Sequence, residues 1–450
     1  MPLQLPLVED LSSLLQRCNK DKSSCNALKL YAYMCKSGLD SHTSMGYLLV
    51  TVFIEIDRMR LPYQIFDRFE YRCSKISLDS LIIEYVKCGK SSHALLMYQK
   101  VSEEYDRYWY HFNEYALGAL LKACIAMADL NQGRRIHAEI VRRHLLEQNV
   151  FLASAIMDMY GKCGFLAKAQ EVFDSVSIRN VVLWNTIISV YMENGYVVEA
   201  LDAFACMQHE GFSPDVVTFI CCLKACGKIG AVSNGEEIHV EIARNDIINK
   251  NVFIESSLIN MYSKCGSLVK AREVFDRLPT RNVVLWNVLI SGYAENGCDE
   301  EALHCFLQMQ REGVLCDDVT ILCILKACGG LGAIEIGQGL HAEVMKKAYE
   351  TNFVIGSSLV DMYAKCSMLL EAQKTFDKLP FKDAVSWTTL ISGYVEHGYA
   401  EDAFNYFEEM EKEDIYSGVV TYLCILKACG ITQARDKGLE MHMAISMKGL

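Results

Sequence analysis

Three histidines stand two residues before a glutamate: His137 and His341 in H-A-E, His239 in H-V-E. Such a pair is half of a zinc-deaminase signature, in which the His and a P-C-x-x-C hold the metal while the Glu moves protons. The chain has 20 Cys, but no C-x-x-C occurs in it. The ligand spacing of a zinc site is therefore missing. The histidines also recur too regularly for one active site: His137, His239, His341 and His442 are 102, 102 and 101 residues apart. A lone His on an amphipathic helix is ordinarily a packing or capping residue, and these are read so. No Ser-His-Asp grouping, Walker loop or GxGxxG setting offers another chemistry. No catalytic residue, metal or cofactor is expected.

The period extends far beyond the histidines. Trp184, Trp286 and Trp387 follow it, as do LKAC (ending at Cys124, Cys226, Cys328 and Cys429) and MY-x-KC (ending at Cys163, Cys265 and Cys366). A fixed period marks an array of units that bury their apolar faces only by stacking. Within each period three sub-units align, of 31, 35 and 36 residues: 150–180, 181–215 and 216–251. In the second type, Trp184, Ile187, Ile188 and Tyr191 fall on one face of a helix, which Asn194-Gly195 ends. A second apolar helix follows from Val198, and Ser213-Pro214-Asp215 turns the chain out. The fold expected is all-α, a right-handed solenoid of about thirteen helix–turn–helix repeats. Residues 1–7 would be a leader and 8–113 degenerate repeats. Regular repeats would span 114–149, 150–180, 181–215, 216–251, 252–282, 283–317, 318–352, 353–383 and 384–418, with an incomplete one at 419–450.

The phrase VVLWNTIISVYMENGYVVEAL, its PD ending and the rotation of three repeat lengths resemble the plant pentatricopeptide repeat proteins of the PLS class. The resemblance covers roughly residues 8–450. It implies single-stranded organellar RNA as partner, in mitochondrion or chloroplast, and a role as specificity factor in C-to-U RNA editing. The deaminase domain that ends many such proteins is missing from this sequence. Catalysis would come from a longer form of the chain or in trans, with editing-complex proteins as possible further partners.

In a stacked array, a residue near the start of each first helix lies beside the last residue of the repeat, and two or three side chains can read one base. The second-type repeats place Asn185 with Asp215 and Asn287 with Asp317 there; the first-type repeats place Ser154 with Asn180, Ser256 with Asn282 and Ser357 with Asp383. An Asn amide offers both donor and acceptor to a base edge, and the resemblance assigns uracil to Asn/Asp. A serine leaves room for a purine, adenine with a final Asn and guanine with a final Asp by the same resemblance. Gly118, Ile220, Leu322 and Leu423 hold the equivalent place in third-type repeats and cannot hydrogen-bond through their side chains. The order read is A-U-n-A-U-n-G-purine, the last from Thr388, whose partner is Gly418 rather than Asp. Asn, Ser and Asp are also ordinary caps, but caps are needed in all three repeat types, whereas the polar choice recurs in two. By resemblance, Val182, Val284 and Val385 would sandwich bases and Lys162, Lys264 and Lys365 would contact phosphate; Glu193, Glu295 and Glu396 at the matching places would repel it. Upstream, Tyr47 pairs with Cys73, and Asp79 has no alignable partner.

Net charge is −12, which argues against indiscriminate phosphate binding but not against a local basic track. It also keeps open a tetratricopeptide-like protein scaffold as the alternative. The cysteines sit inside apolar helical phrases, as small buried hydrophobes in a reducing compartment. No apolar run is long enough to span a bilayer. The opening MPLQLPLVEDLSSLLQRC lacks the long apolar core expected of a secretory signal and the Arg-rich, acid-poor character expected of a transit peptide, so targeting is not readable from it.

Overall fold

The structure is a computed structural model. It describes residues 13–14, 17, 24–37, 52–53, 78–104, 111–147, 149–244, 251–346 and 352–448. The leader, Tyr47, Cys73 and most of the first two degenerate repeats lie outside these. The described residues form 23 α-helices and no strand, an all-α solenoid of helical pairs. None of these helices is long and apolar enough to cross a membrane. The chain divides into two compact units, Met1–Cys221 and Cys222–Leu450.

In the first unit, paired helices run Leu78–Lys87 with Ser91–Glu104, Glu114–Met127 with Leu130–Arg142, Val150–Lys162 with Leu166–Ser175, and Val181–Glu193 with Val197–His209. The second unit repeats the plan from Val252–Lys264 with Leu268–Asp276 through Val283–Glu295, Asp318–Leu331, Phe353–Lys365, Ala384–Glu396 and Val419–Thr432, each followed by its second helix. Within each unit, consecutive first helices touch one another, and second helices lie against first helices. The helix ends follow from local chemistry. At Asn194-Gly195, Gly195 takes φ 84°, a left-handed conformation that spares it the Cβ clash. The Tyr196 N–H then reaches the Tyr191 carbonyl at 2.9 Å, satisfying an end that would otherwise be orphaned.

Two periodic interlocks join neighbouring repeats. Where a first-type repeat meets a second-type one, a phenylalanine of the second helix packs edge-on against the periodic tryptophan: Phe173–Trp184 at 4.7 Å, Phe275–Trp286 at 4.5 Å and Phe376–Trp387 at 4.7 Å between ring centroids. Such pairs add about 0.5–1.5 kcal/mol beyond the area they bury. Arg179, Arg281 and Lys382 lie over the same phenylalanines. Where a third-type repeat meets a first-type one, Gly133, Gly235 and Gly337 lie against Met159, Met261 and Met362. A Cβ at these glycines would come within 2.7, 2.5 and 2.6 Å of the methionine sulfur. One turn further, His137, His239 and His341 share a hydrogen bond with Tyr160, Tyr262 and Tyr363 at 3.0, 2.9 and 2.8 Å. The Gly-x-x-(Ile/Leu)-His phrase and the MY of MY-x-KC are therefore two halves of one contact.

Candidate nucleic-acid interface

Each first helix is buried except along one stripe. On Val181–Glu193, residues Leu183, Trp184, Ile187, Ile188, Val190 and Met192 are buried, while Val182, Asn185, Thr186, Ser189 and Glu193 face outward to varying degrees. Those outward places are the second, fifth, sixth, ninth and thirteenth of the helix, one strip at helical spacing. The expected recognition residues fall on it in every regular repeat.

Val182, Val284 and Val385, at the second place, are exposed. So are Phe151, Phe253 and Val354 in the first-type repeats, and Tyr115, Val217, Val319 and Val420 in the third-type, none of which was expected. One exposed apolar side chain is ordinary. The same place exposed on ten successive first helices is a feature of the stripe.

The Asn/Asp pairs are brought together. The Asn185 amide donates to both carboxylate oxygens of Asp215, at 3.0 and 3.1 Å, and Asn287 does the same to Asp317 at 2.8 and 3.0 Å. A threonine missed in the sequence completes each site. Thr218 donates to Asn185 Oδ1 at 2.6 Å, and Thr320 to Asn287 Oδ1 at 2.5 Å; each hydroxyl also lies 3.0 Å from its aspartate. Both threonines are fully buried, and Asn287 is only 7% exposed. Burial pushes the Asp215 and Asp317 pKa values up, but hydrogen bonds from the Thr218 and Thr320 amides and hydroxyls and from the paired Asn outweigh it and hold both below the usual aspartate range. The recurring V-V-T, D-V-T and V-V-T at the start of third-type repeats was the available signal.

The serines behave otherwise. Ser154, Ser256 and Ser357 turn back onto the carbonyls of Phe151, Phe253 and Val354 at 2.9, 3.0 and 3.0 Å. Their partners cap the next helix: Asn180 accepts from the Leu183 N–H, Asn282 from Leu285, and Asp383 from Ser386. Asp215 and Asp317 cap as well, through the Thr218 and Thr320 amides. So do Asn149, Asn251 and Asn352, which end third-type repeats. Capping therefore accounts for the last residue in all three types, which removes half of the argument from recurrence. The fifth place alone separates the first and second repeat types, with Ser, Asn or Thr there, from the third, with Gly, Ile or Leu. Asp79 does have a partner: it accepts the Asn113 backbone N–H at 3.0 Å, hidden from alignment by the intervening insertion.

At the last second-type repeat, Gly418 offers no side-chain cap, and Thr388 bonds Thr421 at 2.7 Å. A cavity of about 450 Å³ opens there, lined among others by Val385, Thr388, Gly418, Val420 and Lys365.

The thirteenth-place lysines are half-exposed and compensated. Lys162 lies 3.5 Å from Asp158, Lys365 2.7 Å from Asp361, and Lys264 reaches across to Glu295 at 2.5 Å. The three H-x-E histidines bond tyrosines, and no group of three or more metal-ligating side chains gathers among the described residues. Burial pushes the LKAC thiols up, Cys124 and Cys328 to about 12 and Cys226 to about 11, so they are packing groups and poor nucleophiles.

Residues 179–228, 281–330 and 382–430 match the PPR repeat family, and residues 152–181 and 256–283 match the PPR repeat. A pentatricopeptide repeat-containing protein of Arabidopsis thaliana is 32% identical over 95% of this chain and 69% of its own length. A chloroplastic one from the same plant is 32% identical over 93% of this chain and 66% of its own, and a mitochondrial one is 29% identical over 93% and 74%. The chain is thus shorter than each, spanning less than two thirds of one. Among solved structures, the pentatricopeptide repeat protein PPR10 in complex with an 18-nucleotide psaJ RNA element superposes with a TM-score of 0.50 at 17% identity, over 100% of this chain and 80% of that one.

Proposed function

This chain belongs to the pentatricopeptide repeat family, and on that premise we propose that it binds single-stranded RNA along the stripes of its first helices, one base per repeat. The observation that carries this reading is the exposed apolar residue at the second place of ten first helices, set three residues before the fifth-place side chain. A base has two apolar faces and a polar edge. The valines and aromatics suit the faces, and the fifth-place residue suits the edge. An asparagine amide has two N–H groups and two acceptor lone pairs. Asp317 and Thr320 engage one side of each, and the remainder suits the adjacent acceptor and donor of uracil. Ser154, Ser256 and Ser357, folded onto their own helices, leave room for purines. The cavity beside Thr388 and Gly418 extends that room at the last position. Lys162, Lys264 and Lys365 would exchange their carboxylates for phosphate at little cost, since exposed ion pairs contribute about 0–1 kcal/mol.

The finer role proposed is specificity factor for C-to-U editing in a mitochondrion or chloroplast, the compartments carried in the names of two relatives. The deaminase would act in trans or in a longer form of the chain. The test is binding of an oligomer ordered A-U-n-A-U-n-G-purine, single-stranded and as duplex, across a salt series. Salt-dependent affinity for the single strand and little for the duplex is expected. Equal affinity for both, or none for either, would favour a protein-docking scaffold.

A further inference from the structure

The silent third-type repeats carry the stripe's uncompensated cations. The lysine of each LKAC phrase, Lys122, Lys224, Lys326 and Lys427, occupies the ninth place and is exposed. It stands seven residues, about 10 Å, along the same strip from the exposed second-place residue. Every thirteenth-place lysine of the first-type repeats is paired with a carboxylate. The four ninth-place lysines have no carboxylate within ion-pair distance among the described residues. First- and second-type repeats carry no cation at that place: Asp158, Asn260 and Asp361 stand in the former, and Ser189, Ser291 and Ser392 in the latter. The charge is therefore confined to repeats whose fifth place cannot read a base edge.

Two boundaries concentrate it further. Gly227 and Gly329 follow Lys224 and Lys326 by three residues and lie against the stems of Lys264 and Lys365. A Cβ there would stand 3.4 and 3.2 Å from those side chains. Lys224 with Lys264, and Lys326 with Lys365, thus flank the same boundary between adjacent first helices.

We propose that Lys122, Lys224, Lys326 and Lys427 bind backbone phosphates, one per three-repeat period, so that the silent repeats hold the strand in register for their neighbours. This rests on the RNA-binding reading above. An ammonium on a flexible stem suits a phosphate, as a point charge with three donors and no geometric demand. The four lysines would add to the thirteenth-place lysines in offsetting the −12 net charge along the strand.

The experiment replaces all four lysines with glutamine in the full chain and measures affinity for the same single-stranded oligomer across salt. The slope of log affinity against log salt should become shallower by about 0.7 per lysine, about 3 in total. Affinity near physiological salt should fall roughly tenfold or more, with base preference and helical circular dichroism unchanged. A control, K168Q/K270Q/K374Q, removes second-helix lysines and should leave the slope in place. An unchanged slope in the four-lysine variant, or an equal change in the control, would overturn the inference while leaving RNA binding intact. Failure of the unmodified chain to bind would remove the underlying reading instead. If the fourfold variant loses helicity, the pair K326Q/K427Q alone should still lower the slope by about 1.4.

Discussion

At the residue scale, the last side chain of repeats 181–215 and 283–317 does two things at once. Asp317 accepts the Thr320 amide, which caps the next first helix, and also holds Asn287 in place. Asn and Asp are equally good caps, and Asn180 and Asn282 do the same work at equivalent places. Asp317→Asn should therefore leave stability within a few tenths of a kcal/mol, whereas Asp317→Ala should cost about 0.5–2 kcal/mol. Urea midpoints of the two variants check this; no loss in Asp317→Ala would mean that the cap contributes nothing here, and an equal loss in Asp317→Asn that the carboxylate, not the cap, carries the effect. The fifth-place residues were legible in the sequence because type and period agreed. Thr218 and Thr320 were not, because a threonine near a helix start is too common to stand out until its hydroxyl is seen between Asn and Asp. Asp79 was hidden by the insertion that displaces Asn113.

At the element scale, the periodic histidines fasten one repeat to the next. Burial holds the His137 and His239 pKa values below the ordinary histidine range, with Lys168 and Arg277 lowering them further. The unfolded chain then binds more protons than the folded one once pH drops below about 6.5. Stability is expected to hold above that value and to fall on acidification through it, down to the folded pKa values. His239→Asn should lower stability at neutral pH and flatten this acid dependence. Urea unfolding at several pH values measures both effects, and a variant with undiminished slope would exclude the His239–Tyr262 contact as a source. Paired helices were readable from apolar spacing, since Trp184, Ile187 and Ile188 are buried together. The partners across each boundary were not: periodicity gives a helix its buried face but does not say that Trp184 meets Phe173 or His239 meets Tyr262.

At the scale of the whole molecule, each repeat within a unit is stabilised by its own fold and by its immediate neighbours. A core truncation should therefore act locally. Trp286→Ala should cost about 3–5 kcal/mol at its site and speed amide exchange chiefly in the repeats at 252–282 and 283–317. Uniform acceleration from residue 111 to 448 would show global cooperativity instead. The solenoid itself was legible from the hundred-residue period alone. The extent of the exposed apolar row was not, because Phe151, Phe253 and Tyr115 look like core residues until their helices are packed. If this row and the polar places beside it read RNA one base per repeat, the base preferred at each repeat must follow its fifth and last side chains. The most direct measurement is a binding competition between oligomers that differ only at the base assigned to repeat 283–317, with the unmodified chain and with Asn287→Ser/Asp317→Asn. The substituted pair repeats the Ser256/Asn282 arrangement and keeps the cap, so preference should change from uracil to adenine by roughly tenfold, the 1–3 kcal/mol of a good base contact. Persistent preference for uracil, or a change at another base, would contradict the account.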